Sequence, residues 1–129
     1  MAAARSEADV ARAWLEAMNG HDLARMASLY APNAVGDEVA DPPARDRQGL
    51  EESYRELFES FPDCRAEIVN LFAGSGQVAA EIRWTGTNTC PFRGAPATNK
   101  KTDLRIAYLF RIASGKIERI TEYYDTAQI

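Results

Sequence analysis

The chemistry open to this chain rests on carboxylates, tyrosines and arginines. The sequence holds one histidine, His21, and two cysteines, Cys64 and Cys90, against 19 aspartates and glutamates in 129 residues. A single histidine and no Cys-x-x-Cys pair cannot build a common zinc site, so no metal is expected. Both cysteines are expected to be reduced packing residues. His21 lies between Gly20 and Asp22 and is expected in a turn.

Asp125 is the leading candidate for a general base. It follows an apolar strand and lies next to Tyr123 and Tyr124. Counting in steps of two places Asp125 on one strand face with Tyr123, Thr121 and Ile117. A carboxylate at the mouth of an apolar cavity loses solvation, which raises its pKa toward the range of a useful base. The alternative is a solvated residue at the strand end, or a cap for a C-terminal turn.

Tyr108 and Asn88 are candidates to hold a developing enolate oxygen. Tyr108 shares an apolar strand face with Ile106, so it is expected to point inward, either toward a carbonyl or as a core tyrosine with a satisfied hydroxyl. Asn88 lies by the same counting on the inward face of its strand, where an amide needs a hydrogen-bond partner. The substrate-binding candidates are apolar or aromatic residues expected on inward faces: Trp14, Met18, Tyr30, Tyr54, Phe58, Trp84, Phe110 and Tyr123.

The elements that must position these residues follow from apolar periodicity. Helical spacing predicts a first helix from the cap Ser6 to Asn19, with Gly20 in the left-handed position after it. Two more helices are predicted over residues 23–30, capped by Asp22, and about 48–60. Alternation predicts strands over residues 34–39, 65–73, 77–87, 102–112 and 116–125.

This order of elements predicts a single α+β domain over residues 1–129, with three helices packed on a strongly curved, mostly antiparallel sheet. Three helices cannot cover a flat sheet evenly, so we expect a pocket between them for a hydrophobic small molecule. The outward strand residues mix charges with alanine and leucine, which favours an isologous homodimer contact.

Composition argues against several classes of partner and location. A net charge of −4 disfavours nucleic acid and anionic membranes as partners. No apolar run approaches the roughly 20 residues that span a bilayer. Residues 1–10 lack the apolar core of a signal peptide, so a cytoplasmic location is expected.

Several motifs resemble known proteins. Residues 14–23, Trp-Leu-Glu-Ala-Met-Asn-Gly-His-Asp-Leu, resemble the opening of proteins related to nuclear transport factor 2. Further segments resemble the SnoaL-like polyketide cyclase branch of that superfamily. They are residues 84–89, 94–100, 110–112, 115–117 and 123–125. The resemblance covers about residues 10–127. It implies a cone-shaped α+β barrel, usually a homodimer, with a deep cavity in each subunit and no metal or organic cofactor.

The resemblance also implies roles for particular residues. SnoaL-like cyclases close a polyketide ring by an aldol reaction, and their aspartate base near the end of the last strand corresponds to Asp125. A histidine of the cyclase site corresponds to Tyr108. Many relatives carry histidine at the position of Asn88 and glycine at that of Asn99. We therefore expect aldol-type cyclisation or isomerisation of a hydrophobic, polyketide-like carbonyl compound, with Asp125 as base and Tyr108 or Asn88 holding the enolate oxygen.

Two other functions stay open. The first is a non-catalytic domain that binds a small molecule in an inert pocket. The second is epoxide opening of the limonene-epoxide-hydrolase type, whose Asp-Arg-Asp set resembles Asp103, Arg105 and Asp125, although Asp103 and Arg105 are expected to face outward. A second carboxylate and an arginine turned inward would favour the hydrolase. In ketosteroid isomerases the proton-shuttling carboxylate falls in the segment that here holds Asp37 and Glu38.

Overall fold

The computed structural model describes residues 6–128 as three helices, five strands and a terminal 3-10 turn. The elements are α1 (Glu7–Asn19), α2 (Leu23–Ser28), β1 (Tyr30–Glu38), α3 (Arg47–Ser60), β2 (Arg65–Gly74), β3 (Gln77–Thr87), β4 (Lys101–Ala113), β5 (Lys116–Tyr123) and the turn Thr126–Gln128. The predicted element order and the α+β class are confirmed. No helix among the described residues is long and apolar enough to span a bilayer.

The helix ends follow side-chain capping. Ser6 accepts a hydrogen bond from the third residue of α1, and Asp22 does the same for α2. The left-handed residue after α1 is His21, with φ 51°, whereas Gly20 has φ −83°, which corrects the assignment of that position to glycine. The ring of His21 is stacked on Phe58, with centroids 4.3 Å apart, and this contact holds the turn against α3.

β1 is longer than the sequence predicted. Helix α2 stops at Ser28, and Tyr30 begins β1 instead of ending the helix. The strand also includes Pro32, which cannot donate to a sheet ladder. β1 is an edge strand, where a residue without a backbone N–H is tolerated.

The sheet is mixed and open. Its strand order is β1-β5-β4-β3-β2, so β1 and β2 are the edges and the sheet does not close into a barrel. β2 to β5 form an antiparallel meander, while β1 pairs with β5 in parallel. Because residues in register point to the same side of a sheet, these pairings bring side chains from β1, β5 and β4 into rows across the inner face.

The core lies between the helices and the inner face of the sheet. Residues of β3 and β4 alternate between buried and exposed along their length. Trp14 of α1 is fully buried, and its indole N–H donates to the Tyr30 hydroxyl at 3.0 Å. Its ring packs edge-on against Tyr54, Tyr108 and Phe110, at centroid distances of 5.3, 5.5 and 5.6 Å. This aromatic cluster fastens α1 and α3 to β4.

A β-bulge interrupts the pairing of β4 with β5. Ile112 is in register with Ile117, but Arg111 is in register with Arg119, so Glu118 is an extra residue. The extra residue inverts the alternation along β5: Ile117 is buried, and the next buried position is Ile120. Counting in steps of two from Ile117 therefore assigns the wrong face to every later residue of the strand.

Candidate functional site

A pocket of about 800 Å³, a volume that includes its open mouth, lies between α3, the inner face of the sheet and the loop over residues 88–100. Its walls are mainly apolar and aromatic, with Leu50, Tyr54, Leu57, Phe61, Trp84, Phe92, Leu104, Ile106 and Ile120. Its polar side chains include those of Asp37, Glu38, Arg45, Ser53, Arg93, Thr102, Tyr108, Glu122 and Tyr124. An apolar cleft with a few converging polar groups is typical of a small-molecule site.

Glu122 occupies the middle of a row of polar residues across three strands. It is in register with Glu38 of β1 on one side and with Tyr108 of β4 on the other. The Tyr108 hydroxyl donates to Glu122 Oε1 at 3.1 Å. The inversion of β5 at its bulge is what turns Glu122 toward the pocket.

The surroundings of Glu122 favour its protonated form. Burial raises the pKa of Glu122 to about 8, and the negative charge of Glu38 acts in the same direction. The hydrogen bond from Tyr108 opposes both effects. A carboxyl group that titrates close to neutral pH can both take up and release a proton at low cost, which is what general acid–base catalysis requires.

The Glu38 side chain is held in place by cationic and hydroxyl partners. Both guanidinium nitrogens of Arg93 donate to it, at 2.7 and 2.8 Å, and Arg45 lies 3.5 Å away. The Tyr124 hydroxyl also donates to Glu38. Burial, followed by the hydrogen bond to Glu38, raises the pKa of Tyr124, so the phenol keeps its proton. Asp37 borders the pocket, with its carboxylate paired to Arg119 at 2.8 Å.

The structure places the three catalytic candidates in three different environments. Tyr108 lines the pocket. Asp125 is exposed and outside the pocket lining, and its carboxylate accepts from the Ala127 N–H at 2.9 Å, as a cap of the 3-10 turn. The expectation that Asp125 faces the cavity is corrected, and the bulge at Glu118 is the physical reason.

Asn88 also lies outside the pocket lining. Its side chain is buried, donates to the Cys90 carbonyl at 3.0 Å and accepts from the Thr98 N–H at 2.7 Å. The partner that a buried amide requires is thus supplied by the backbone of its own loop. Asn88 ties together the two arms of the loop over residues 88–100.

Two of the eight substrate-binding candidates, Tyr54 and Trp84, line the pocket. Five others are core residues buried behind the lining: Trp14, Met18, Tyr30, Phe58 and Phe110. Tyr123 is 47% exposed and points outward, again because of the inverted alternation in β5. Periodicity identifies seven of these eight residues as buried or pocket-lining, all but Tyr123, but burial alone does not separate a core side chain from a pocket wall.

Three polar pocket residues that sequence reasoning missed are Glu122, Tyr124 and Arg93. The first two lie on the inward face of the chain after the bulge, and counting from Ile120 would have found them. Arg93 belongs to a loop, where no periodicity applies. Glu38, left open between pocket and surface, is in the pocket.

Two of the three residues compared with an epoxide hydrolase, Asp103 and Arg105, lie on the outer face of the sheet, and the third, Asp125, caps the 3-10 turn. Asp103 pairs with Arg83 at 2.6 Å, and Arg105 pairs with Glu81 at 2.7 Å. This arrangement is the external ion pairing expected from their alternation with Leu104. Within residues 6–128, no group of three His, Cys, Asp or Glu side chains is arranged to hold a metal ion.

Known structures share this architecture. The proposed polyketide cyclase IdmH from Streptomyces antibioticus is 24% identical, with a TM-score of 0.82 over 96% of this chain and 95% of that one. A proposed SnoaL-like polyketide cyclase from a Jannaschia species is 18% identical, with a TM-score of 0.85 over 98% and 93%. A proposed polyketide cyclase from Pseudomonas putida is 18% identical, with a TM-score of 0.82 over 96% and 95%. At these identities the likeness establishes the fold.

The family is identified by the sequence itself. Residues 11–120 match the model of the SnoaL-like domain, which is most of the chain. A protein with ketosteroid isomerase-like fold from Catenulispora acidiphila also superposes, with a TM-score of 0.79 at 17% identity over 94% of this chain and 88% of that one. With three helices on an open five-stranded sheet, the chain belongs to the SnoaL-like domain family.

Proposed function

We propose that this protein is a cofactor-independent enzyme in which Glu122 transfers a proton on a hydrophobic, polyketide-like carbonyl compound bound in the pocket. The observation that carries the proposal is the position of Glu122: a carboxyl group with a pKa near 8, on the wall of an apolar pocket, beside the hydroxyl of Tyr108. The family and its structural relatives that are proposed polyketide cyclases support the same class of reaction.

The reaction needs a base for a carbon acid and a donor for an oxyanion. Ionised Glu122 takes a proton from the carbon next to a carbonyl, and the C–H electron pair forms an enolate. Burial raises the pKa of Tyr108, so its hydroxyl stays protonated, and once Glu122 has taken the proton this hydroxyl can turn from Glu122 to donate to the enolate oxygen. In an aldol closure the enolate carbon attacks a second carbonyl carbon of the same molecule. The resulting alkoxide recovers the proton from Glu122, so no atom is gained or lost.

The apolar walls have a part in this chemistry. Phe61, Trp84 and Phe92 line the pocket, and Phe61 packs edge-on against both of the others. Flat or polycyclic carbonyl compounds match such walls in shape and polarity. By excluding water, the walls also strengthen every hydrogen bond to the enolate.

The test is a screen of polyketide-like β-dicarbonyl compounds, followed by mass spectrometry for cyclised products and for deuterium uptake from D₂O. Changing Glu122→Gln should lower turnover by about 10² to 10⁴, the range for loss of a general base. Asp125→Asn is the matched control and should leave turnover unchanged. Full activity of Glu122→Gln, or a comparable loss in Asp125→Asn, would contradict the assignment of the base. Tight binding without turnover of any compound would favour a non-catalytic binding domain.

Epoxide opening is a second candidate, because one observation favours it. Glu38, held by Arg93, is the register neighbour of Glu122, so two carboxyl groups and an arginine share one wall. Glu122 would protonate the epoxide oxygen while Glu38 takes a proton from water. The water oxygen forms a C–O bond as the ring C–O bond breaks, which gives a diol. A screen of cyclic epoxides in H₂¹⁸O should then yield diols with one labelled oxygen, and unreacted epoxides would exclude this function.

A further inference from the structure

The loop over residues 88–100 delivers one charged side chain to the polar end of the pocket. A two-residue turn forms its tip, where Phe92 and Ala95 exchange backbone hydrogen bonds of 2.9 Å in both directions. Arg93 and Gly94, with φ of 48° and 81°, occupy the two central positions. Positive φ at both positions is typical of a tight type I′ turn. Only the second position holds a glycine. Arg93, at the first position, has a left-handed backbone conformation that is unfavourable for a residue with a side chain.

The loop is fastened to the rest of the domain at several points. Asn88 joins its two arms, and the Ser60 hydroxyl donates to the Pro91 carbonyl at 2.7 Å. The Phe92 ring packs edge-on against Phe61 with centroids 5.3 Å apart. Phe92 also lines the pocket. The position of Arg93 is thus set by attachments that depend on the loop lying closed over α3.

Arg93 meets four partners at this end. It donates to both carboxylate oxygens of Glu38, to Asp41 at 2.7 Å and to the Ser53 hydroxyl at 3.2 Å. Its guanidinium also lies 4.6 Å from the centroid of the Phe92 ring. A bidentate guanidinium fixes the plane and direction of a carboxylate as well as neutralising it. Glu38, oriented in this way, is the direct register partner of Glu122.

We propose that Arg93 is a positioning residue for the reaction assigned above, and that its bidentate contact with Glu38 is a condition for Glu122 to act as a base. This inference rests on the proposed function. Arg93 need not touch the substrate, since it acts through Glu38.

The charges around Glu122 give this coupling its direction. The groups that face it are Glu38 from β1, Tyr108 from β4, Tyr54 from α3, Tyr124 after β5, and the two arginines 45 and 93 from loops. Glu38 raises the pKa of Glu122, whereas Arg93 and Arg45 lower it. Withdrawal of Arg93 removes a positive charge and leaves Glu38 less compensated. Both changes raise the pKa of Glu122, so a protein without the Arg93 guanidinium keeps Glu122 protonated and inactive as a base.

The test follows the Glu122 carboxyl carbon by NMR in protein labelled with ¹³C-glutamate. In Arg93→Gln the titration midpoint of Glu122 should rise by about one unit, as expected for loss of a nearby opposite charge. Arg93→Lys keeps the charge but loses the bidentate grip, so its midpoint should lie between those of the wild type and Arg93→Gln. Arg83→Gln, which breaks the exposed pair with Asp103, is the matched control and should leave the midpoint unchanged.

Kinetics and NMR together separate this inference from the proposed function. With a substrate in hand, the pH profile of kcat/KM for Arg93→Gln should move with the NMR midpoint and fall about tenfold at pH 7, since one pKa unit is a factor of ten in the ionised fraction. Unchanged midpoints in both Arg93 variants would overturn the inference even if Glu122→Gln is inactive. A raised midpoint in a protein whose Glu122→Gln variant keeps full activity would overturn the inference together with the proposed function.

Discussion

Two sets of ion pairs of nearly equal length lie on opposite sides of the same sheet. In the pocket, Arg93 meets Glu38 at 2.7 Å, and on the outer face Arg83 meets Asp103 at 2.6 Å. The side chain of Glu38 is 11% exposed and that of Asp103 is 48% exposed. Contact distance is therefore the same in both places, while the solvent that screens the charges is not.

This difference in solvent exposure goes with opposite shifts in the pKa of carboxyl groups on the two sides of the sheet. On the outer face, the hydrogen bond from Arg83 lowers the pKa of Asp103, and the hydrogen bond from Asn70 lowers that of Glu81. In the pocket, burial and the adjacent Glu38 raise the pKa of Glu122 to about 8. Water on the outer face solvates each ionised acid beside its partner. In the pocket, Glu122 is shielded from water and lies next to a second carboxyl group, so its charged form is disfavoured.

The largest expected effect that tests this contrast is on stability against pH. The pKa of Glu122 is raised from 4.5 to about 8, so the stability it confers is complete below pH 4.5 and is lost as pH rises through 8. That loss amounts to up to about 5 kcal/mol. Urea unfolding at pH 5 and pH 9 should show it in the wild type and not in Glu122→Gln. Equal pH dependence of the two proteins would mean that the carboxyl is solvated.

A second expected effect concerns the aromatic cluster beneath the pocket. Trp14→Ala should lower the free energy of unfolding by about 3–5 kcal/mol, because it empties a fully buried site and leaves the Tyr30 hydroxyl without its donor. Tyr123→Ala, at an exposed position of β5, is the control and should leave the urea midpoint close to that of the wild type. Similar urea midpoints for the two variants would contradict the assignment of Trp14 to the core and of Tyr123 to the exposed face.

The outer face has a further expected role, in self-association. Phe72 is 69% exposed and Leu109 is 43% exposed, and both border a shallow depression on that side of the sheet. We expect a dimer by light scattering at micromolar concentration, and Phe72→Glu should weaken it at least tenfold by placing a charge in an apolar contact. A wild-type protein that stays monomeric would show that this face is free.

The smallest effect is expected for the exposed ion pair itself. Asp103→Asn should change neither the urea midpoint at pH 7 nor the titration of Glu122, because surface pairs in water contribute little. The contribution of the lowered pKa of Asp103 is small at this exposed position; it is present above the ordinary pKa of aspartate and is lost as pH falls, so the wild type and Asp103→Asn should not diverge in acid either. A clear loss of stability at pH 7 would show that the outer face is less solvated than its exposure indicates.

Much of this architecture follows from the sequence alone. The alternation of β3 and β4 fixes which residues are buried, and the caps Ser6 and Asp22 begin their helices as predicted. These features are local, since each depends on residues close together in the chain. Tyr108 was placed inward for the same reason.

The candidate site depends on relations that are not local. The parallel pairing of β1 with β5 places Glu38 beside Glu122, although 84 positions separate them in the chain. Periodicity in the sequence does not predict such a pairing. The contact of Arg93 with Glu38 depends on how a loop folds over α3. Counting along an uninterrupted strand favours Asp125 as the base, and one additional residue at the bulge invalidates that count.

Because of the bulge, the number of residues in β5 decides which side chain faces the pocket. Side chains alternate between the two sides of a strand. Whether the number of regularly paired residues between the turn after β4 and position 122 is odd or even therefore decides whether Glu122 or Thr121 faces inward. Deleting Glu118 would straighten β5 and leave Glu122 in place, while deleting a residue beyond the bulge would turn every later side chain to the opposite side. An insertion or deletion in this hairpin would therefore exchange the side chains that face the pocket of this domain without any substitution in its wall. An alignment of relatives that ignores this count will match residues that face opposite ways.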